Sequence, residues 1–279
     1  SPSQMELYKK EEGKSYLRRK TFENMRRELL FYKNEMKAEY LYFWADTFFS
    51  WKEGEFEEFC EMYKDIGLPF WCQTRIETVS YQRFKRLKEI GCARISFGLE
   101  HGNEEFRKKV LKRLVTNDLM IKNFKIVNEV RIPYSVNKIM GFPHETYEMA
   151  FDTIELNRQI EANDRNAYSF TPFAGTPLRA VAEQQGFLKP SDIVHSIFVN
   201  GSLLNMPQFP QKKVNSLVKT FNLYVKFPKS RWPDIRRAEE NTPEGEKIYN
   251  ELKNEFMGKF WKADDLDFEE ASLEKMAHS

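Results

Sequence analysis

Between residues 39 and 170, short apolar runs and amphipathic stretches alternate five times, and that alternation limits the fold more than any other property of the chain. Residues 39–44 (EYLYFW), 69–74 (PFWCQT), 93–99 (ARISFGL), 133–140 and 167–170 read as strands. They are short and carry aromatic or β-branched residues. Residues 55–66, 80–90, 104–114, 117–130 and 146–162 carry helical spacing, with Gly67 and Gly91 as stops and Ser80 as a start. A helix over 21–36 precedes the first strand, with Thr21 at its N-cap. Strands joined through helices run parallel, because the crossover returns the chain to the same edge. The right-handed crossover rule winds them all one way. Five strands are too few for a closed eight-stranded barrel. They fit strands 2–6 of a partial (β/α)6 TIM-like barrel whose first strand lies upstream. An open doubly wound sheet is the structural alternative.

From residue 189 the alternation stops. Helical patterns over 212–225 and 244–261 flank a proline-broken connector at 227–233. The chain therefore divides into an N-terminally truncated barrel, 1–188, and a mainly helical extension, 189–279. A net charge of +2 gives no electrostatic reason for a nucleic-acid partner. No apolar run reaches the roughly 18 residues of a membrane span, and no signal peptide is present. Cys60, Cys72 and Cys92 are too far apart for a C-x-x-C clip and read as buried free thiols of a reducing, cytoplasmic compartment. A start at Ser1 without a methionine suits a fragment.

In parallel α/β folds, ligands meet the C-terminal ends of the strands. The residues there are Asp46 and Thr47; Arg75; Glu100, His101, Gly102 and Asn103; Gly141 to Glu145; and Thr171, Pro172, Gly175 and Thr176. Each also has a plain structural reading. Asp46 can cap a turn, Arg75 can pair with Glu77, Gly141 and Pro143 can make a tight turn, and His101 and His144 can brace loops. Glu100 stands apart, because a lone carboxylate ending an apolar strand is costly to bury.

At these positions the chain resembles radical S-adenosylmethionine (SAM) enzymes, in particular the branch that often carries a cobalamin-binding domain. Residues 18–29 (RRKTFENMRREL) look like the first helix after that family's cluster loop, and 43–48 (FWADTF) like its second-strand end. Thr74 and Arg75, with a helix ending in Ile90-Gly91-Cys92, look like its third-strand unit. SFGLEHGN (96–103) is similar to G-I-E-S-G-N, IMGFPHET (139–146) to G-L-P-G-E-T, and TPFAGTPL (171–178) to T-P-x-P-G-T-P-L. The post-barrel stretch 224–239 also looks like this branch. Several positions depart from the pattern: His101 for Ser, His144 for Gly, Val130-Arg131 for Ala-Gly, and Ala45 before Asp46.

The resemblance implies SAM binding by Asp46, Thr47, Arg75, Glu100, Ile139, Met140, Gly141, Thr171 and Pro172. Glu100 would meet the ribose or amino-acid end, and residues 139–141 the adenine. It also implies a [4Fe–4S] cluster, whose C-x-x-x-C-x-x-C ligands are not in this chain and are expected upstream of Ser1. Cobalamin is a candidate second cofactor. The implied reaction is cleavage of SAM to a 5′-deoxyadenosyl radical that modifies an organic substrate, with cobalamin-dependent C-methylation as the finer reading. The catalytic residue stays unassigned, and the chain alone is expected to be inactive. The implied partners are a reducing electron donor and a small-molecule substrate. Phe43, Trp44, Phe48, Phe49 and Trp51 suit an apolar one. Two alternatives stand beside this: a metal-dependent lyase or hydrolase using Asp46, Glu100, His101 and His144, and a non-catalytic binding protein that has lost the cluster.

Overall fold

The structure, a computed structural model, describes residues 5–6, 8–10, 19–45, 47–52, 54–194 and 201–260 of the 279. Strands β1 (Leu41–Phe43), β2 (Phe70–Thr74), β3 (Cys92–Glu100), β4 (Tyr134–Met140) and β5 (Asp164–Ser169) form one parallel sheet in chain order. Helices α1 (Phe22–Asn34), α2 (Glu55–Lys64), α3 (Tyr81–Glu89), α4 (Glu104–Lys109), α5 (Asn117–Val130) and α6 (Tyr147–Arg158) precede or link the strands. Beyond β5 come α7 (Pro177–Gln184), α8 (Gln211–Lys226), α9 (Trp232–Ala238) and α10 (Pro243–Phe260). This is the α/β architecture with a helical C-terminal part that the alternation predicts.

Period-2 alternation sends one set of strand side chains outward to the helices. Phe70, Cys72, Ile95, Phe97, Leu99, Tyr134 and Val136 pack there with Phe56 and Phe59 of α2, Phe84 of α3 and Phe124 of α5. The aromatic residues that suggested an apolar cavity belong mostly to this core. Phe48 and Phe49 are buried in it, and Phe43 and Trp51 pack against it. Trp44 alone of the five lies outside this core, 76% exposed and edge-on to Tyr42. All three cysteines are also buried, Cys60 on α2 and Cys72 and Cys92 on adjacent strands. A second core joins Met140 and Phe142 to Ile154 of α6, Val214, Leu217 and Phe221 of α8, Ile235 of α9 and Leu252 of α10.

Two sequence expectations are corrected. The helix expected over 104–114 ends at Lys109, and the chain then turns through Lys112 at φ 54°, which brings Arg113 back over β3. The expected connector at 227–233 instead contains the start of α9, where Pro233 occupies the first turn and its missing N–H costs nothing. Helix α7, unforeseen in the sequence, likewise starts at a proline behind the Thr176 cap.

β4 also turns Lys138 into the second core. Its Nζ lies 4.3 Å from the Phe221 ring centroid and 3.2 Å from the Val136 carbonyl oxygen. No carboxylate among the described residues pairs with it. Burial, with Arg165 nearby, holds its ammonium well below the ordinary lysine range. The folded chain therefore binds fewer protons here than the unfolded chain, so this position destabilises at neutral pH and less so as pH rises toward the ordinary lysine value. Lys138→Met is expected to stabilise the protein by about 1–3 kcal/mol at pH 7. Urea unfolding of both proteins at pH 7 and pH 10 checks this, with the larger gain expected at pH 7.

Candidate functional site

Because the strands are parallel, their C-terminal ends share one rim, and each neighbouring pair of ends is cross-bonded. The Phe48 amide after β1 donates to the Gln73 carbonyl of β2 at 2.9 Å. Past β2, Arg75 pairs with Glu77, and Arg113 donates to Glu77 (3.3 Å) and to Glu100 at the end of β3 (2.9 Å). From there His101 reaches Glu145, which holds the Gly141 amide after β4. Finally the Phe170 amide after β5 donates to the Met140 carbonyl at 2.7 Å.

Glu100 sits on a β-bulge with φ 67°, where its register with β4 shifts. The bulge turns its carboxylate back along the inner face of the sheet. A Cβ on Gly98 would stand 2.3 Å from Glu100 Oε1, so Gly98 is the space in which this carboxylate lies. Arg113 completes the arrangement, donating also to the Gly98 carbonyl at 3.0 Å. Burial pushes the Glu100 carboxyl above the usual range, and the Arg113 and Arg75 guanidiniums offset part of that push.

The segment after Glu100 is a brace. His101 and Glu145 are both fully buried, with Nε2 3.0 Å from Oε1. The Asn103 amide donates to His101 Nδ1 at 3.0 Å, so the ring proton resides on Nε2 and is given to Glu145. The other Glu145 oxygen accepts from the amides of Gly141 (2.6 Å) and Phe142 (2.9 Å). The buried Arg107 holds the His101 carbonyl at 2.6 Å and Asn117 Oδ1 at 2.8 Å. The Gly102 amide donates to Thr153 on α6. One network thus ties the ends of β3 and β4 to three helices.

Inward-facing side chains form layers. Low in the sheet, the Trp71 indole donates to Ser96 (3.0 Å), Ser96 meets Ser135 (2.7 Å), and Arg94 pairs with Asp164; Trp71, Arg94, Ser96 and Ser135 are buried. Above them Gln73, Gly98, Asn137 and Asn166 are half-buried, and Asn166 donates to Asn137 at 3.1 Å. Glu100, Ile139 and Tyr168 stand at the rim. This lining is polar, and it was missed in the sequence. The signal was there as alternating Ser96, Gly98, Glu100 and Ser135, Asn137 within runs read as apolar.

The other expected site residues fall as follows. Asp46 lies outside the described residues. Thr47 is half-buried in the turn after β1. Met140 points into the second core, while Gly141 sits against Val214 of α8 with its amide taken by Glu145. Its donor is therefore not free to read a ligand. Thr171 is half-buried and Pro172 buried, and the Pro172 carbonyl is held by Arg179. Of the four residues in the metal-site alternative, His101 has both nitrogens committed, His144 is exposed at φ 69° and Asp46 lies outside the described residues. Among the described residues no group of three or more His, Cys, Asp or Glu is placed to hold a metal. The thiols point into the helix-side core, so the described residues do not fit a [4Fe–4S] cluster either. No described helix is long and apolar enough to cross a membrane.

The sequence model of the Radical SAM superfamily matches residues 6–156. A tRNA-2-methylthio-N(6)-dimethylallyladenosine synthase of Halalkalibacterium halodurans is 31% identical over 84 residues, 30% of this chain and 16% of that protein. The coproporphyrinogen III oxidase HemN of Escherichia coli, a radical SAM enzyme, superposes with a TM-score of 0.53 at 12% identity, over 74% of this chain and 46% of that one. OxsB, a cobalamin-dependent SAM radical enzyme solved with aqua-cobalamin and SAM bound, gives 0.54 at 11% identity, over 84% and 41%. At such identities the structural likeness is one of fold. The chain spans less than half the length of each of these relatives.

Proposed function

The chain belongs to the radical SAM superfamily, and on that premise we propose that the rim of β1–β5 binds SAM, with Glu100 as its main polar contact. The observation that carries this is the Glu100 carboxylate laid over Gly98. The Glu100 side chain, 29% exposed, lies along the inner face of the sheet beside Arg113, and a partly buried carboxylate at the strand ends suits a cationic or hydroxyl-bearing ligand. SAM offers both, in its ammonium group and its ribose. Thr47, Arg75, Ile139, Gly141, Thr171 and Pro172 are proposed contacts at the same rim, and Met140, buried in the second core, is set aside.

In the intact enzyme the proposed reaction is cleavage of SAM to methionine and a 5′-deoxyadenosyl radical that modifies an organic substrate. The described residues do not fit the cluster that such a cleavage needs. What these residues do is bind and orient SAM and exclude water around it. Cobalamin-dependent C-methylation is the finer form of the proposal, supported by the motif resemblance and by the shared fold of OxsB. A reducing electron donor and a small-molecule substrate are the partners it entails.

Titration calorimetry tests the binding role. Glu100→Gln is expected to weaken SAM binding by about ten- to a hundredfold, the value of a charge-assisted hydrogen bond. It should also hold or slightly raise the melting temperature, because burial disfavours the charged carboxylate. Unchanged SAM affinity would remove Glu100 from the site. Gly98→Ala separates space from charge. Its methyl group meets the mobile end of Glu100 rather than backbone, so stability should stay within about 1 kcal/mol while SAM affinity falls.

A further inference from the structure

The reading of Glu100 as a SAM contact leaves open what keeps an uphill carboxylate charged and pointing inward. Three charged side chains face it: Arg113 from the turn after α4, Arg75 past the end of β2, and Glu77 in the 3-10 turn Ile76–Thr78. They are not equivalent. Arg75 pairs with Glu77 and is nearly half exposed. Arg113 is only 12% exposed and is fixed at three points: the Gly98 carbonyl, Glu100 Oε1 and Glu77 Oε2. Its Nη1 alone bridges the Gly98 carbonyl and the Glu100 carboxylate. That bridge clips the side chain onto the strand two residues behind its own Cα. Nη2 then ties the pair to the neighbouring strand end through Glu77.

We propose that Arg113 is a positioning residue for SAM binding, clipping the Glu100 carboxylate over Gly98 and tuning its charge through a shared contact with Glu77. The proposal rests on the SAM role of Glu100 but concerns a different residue and makes its own demands. Arg113 is shared between two carboxylates, so each weakens its hold on the other. Loss of Arg113 must raise the pH at which Glu100 ionises. Loss of Glu77 must lower it, since a like charge is removed and Arg113 is left to Glu100 alone. A cation that acted by proximity alone would serve equally as arginine or lysine, so the difference between Arg113→Lys and the parent reads the Nη1 bridge.

The test is a carbon-13 NMR titration of the glutamate carboxyls in the ligand-free chain, with the Glu100 signal assigned by its disappearance in Glu100→Gln. Arg113→Gln is expected to move the Glu100 midpoint up by about one pH unit or more. Arg113→Lys, which keeps the charge but not the bridge, should move it less. Glu77→Gln should move it down, and this variant keeps the proposal testable if Arg113→Gln fails to fold. In SAM titrations, the pH at which binding falls away on acidification should move with the midpoint, upward in Arg113→Gln and downward in Glu77→Gln. Midpoints unchanged within a few tenths of a unit, or shifts of the same sign in both variants, overturn the role of Arg113. If the midpoints shift as expected while SAM affinity ignores both Arg113→Gln and Glu100→Gln, Arg113 still positions Glu100, but the SAM role of Glu100 and its consequence for binding fall.

Discussion

Replacing Glu145 by alanine is expected to cost about 3–5 kcal/mol of folding stability, because several buried donors are left without an acceptor. Three buried donors lose their acceptor at once: the amides of Gly141 and Phe142 and the His101 Nε2–H. No water can replace the carboxylate without opening the rim, because His101, Gly141 and Phe142 are themselves buried. Each unsatisfied donor costs about 1–3 kcal/mol. A domain of ordinary stability has only about 5–15 kcal/mol in hand. Glu145→Gln should do less harm, since one amide oxygen still accepts while the amide nitrogen faces a donor. Guanidinium unfolding of both variants checks the ranking. A loss below about 1 kcal/mol in Glu145→Ala would show that the three donors find other partners. Any SAM affinity measured on the surviving protein should fall too, because the ends of β3 and β4 are then no longer held together.

The parts of this site that the sequence made legible are those set by local pattern. Strand ends after 74, 99 and 140 could be found because apolar runs stop there at Arg75, Glu100 and Gly141. Arg113 could not. It reaches Glu100 only because α4 stops at Lys109 and the chain reverses through Lys112, a turn that residues 104–114 do not advertise. The partnership of His101 and Glu145 was equally hidden. The two are 44 positions apart, and each looks like an ordinary loop residue until parallel pairing of β3 and β4 sets their loops side by side. The aromatic residues misled for a related reason. A run such as FWADTFFSW does not say which side of the sheet each ring takes, and the helix side claimed Phe43, Phe48 and Phe49. The polar inner lining follows from the same alternation, read one residue out of phase.

Gly102→Ala is expected to be the most damaging single methyl addition near the site. A Cβ there would lie 2.3 Å from the Asp152 carbonyl oxygen and 2.4 Å from Thr153 Cα, both backbone atoms of α6. Side chains can rotate out of such a clash, but a helix backbone must move as a body. That motion would strain the hydrogen bonds from the Gly102 backbone amide to Thr153 Oγ1 (2.8 Å) and from the Asn103 side-chain amide to Asp152 Oδ2 (2.7 Å). Overpacking in a close-packed interior typically costs about 1–3 kcal/mol and more where backbone must shift, so about 3 kcal/mol or above is expected here. Gly258→Ala supplies the control. That glycine lies exposed in α10 with nothing within 4 Å of an added Cβ, and alanine should stabilise its helix by up to about 1 kcal/mol. Thermal melts of the two variants should therefore move in opposite directions. A Gly102→Ala protein melting within a degree of the parent would mean that α6 does not press on the end of β3, and the brace that aligns Glu100 with Gly141 would lose its anchor.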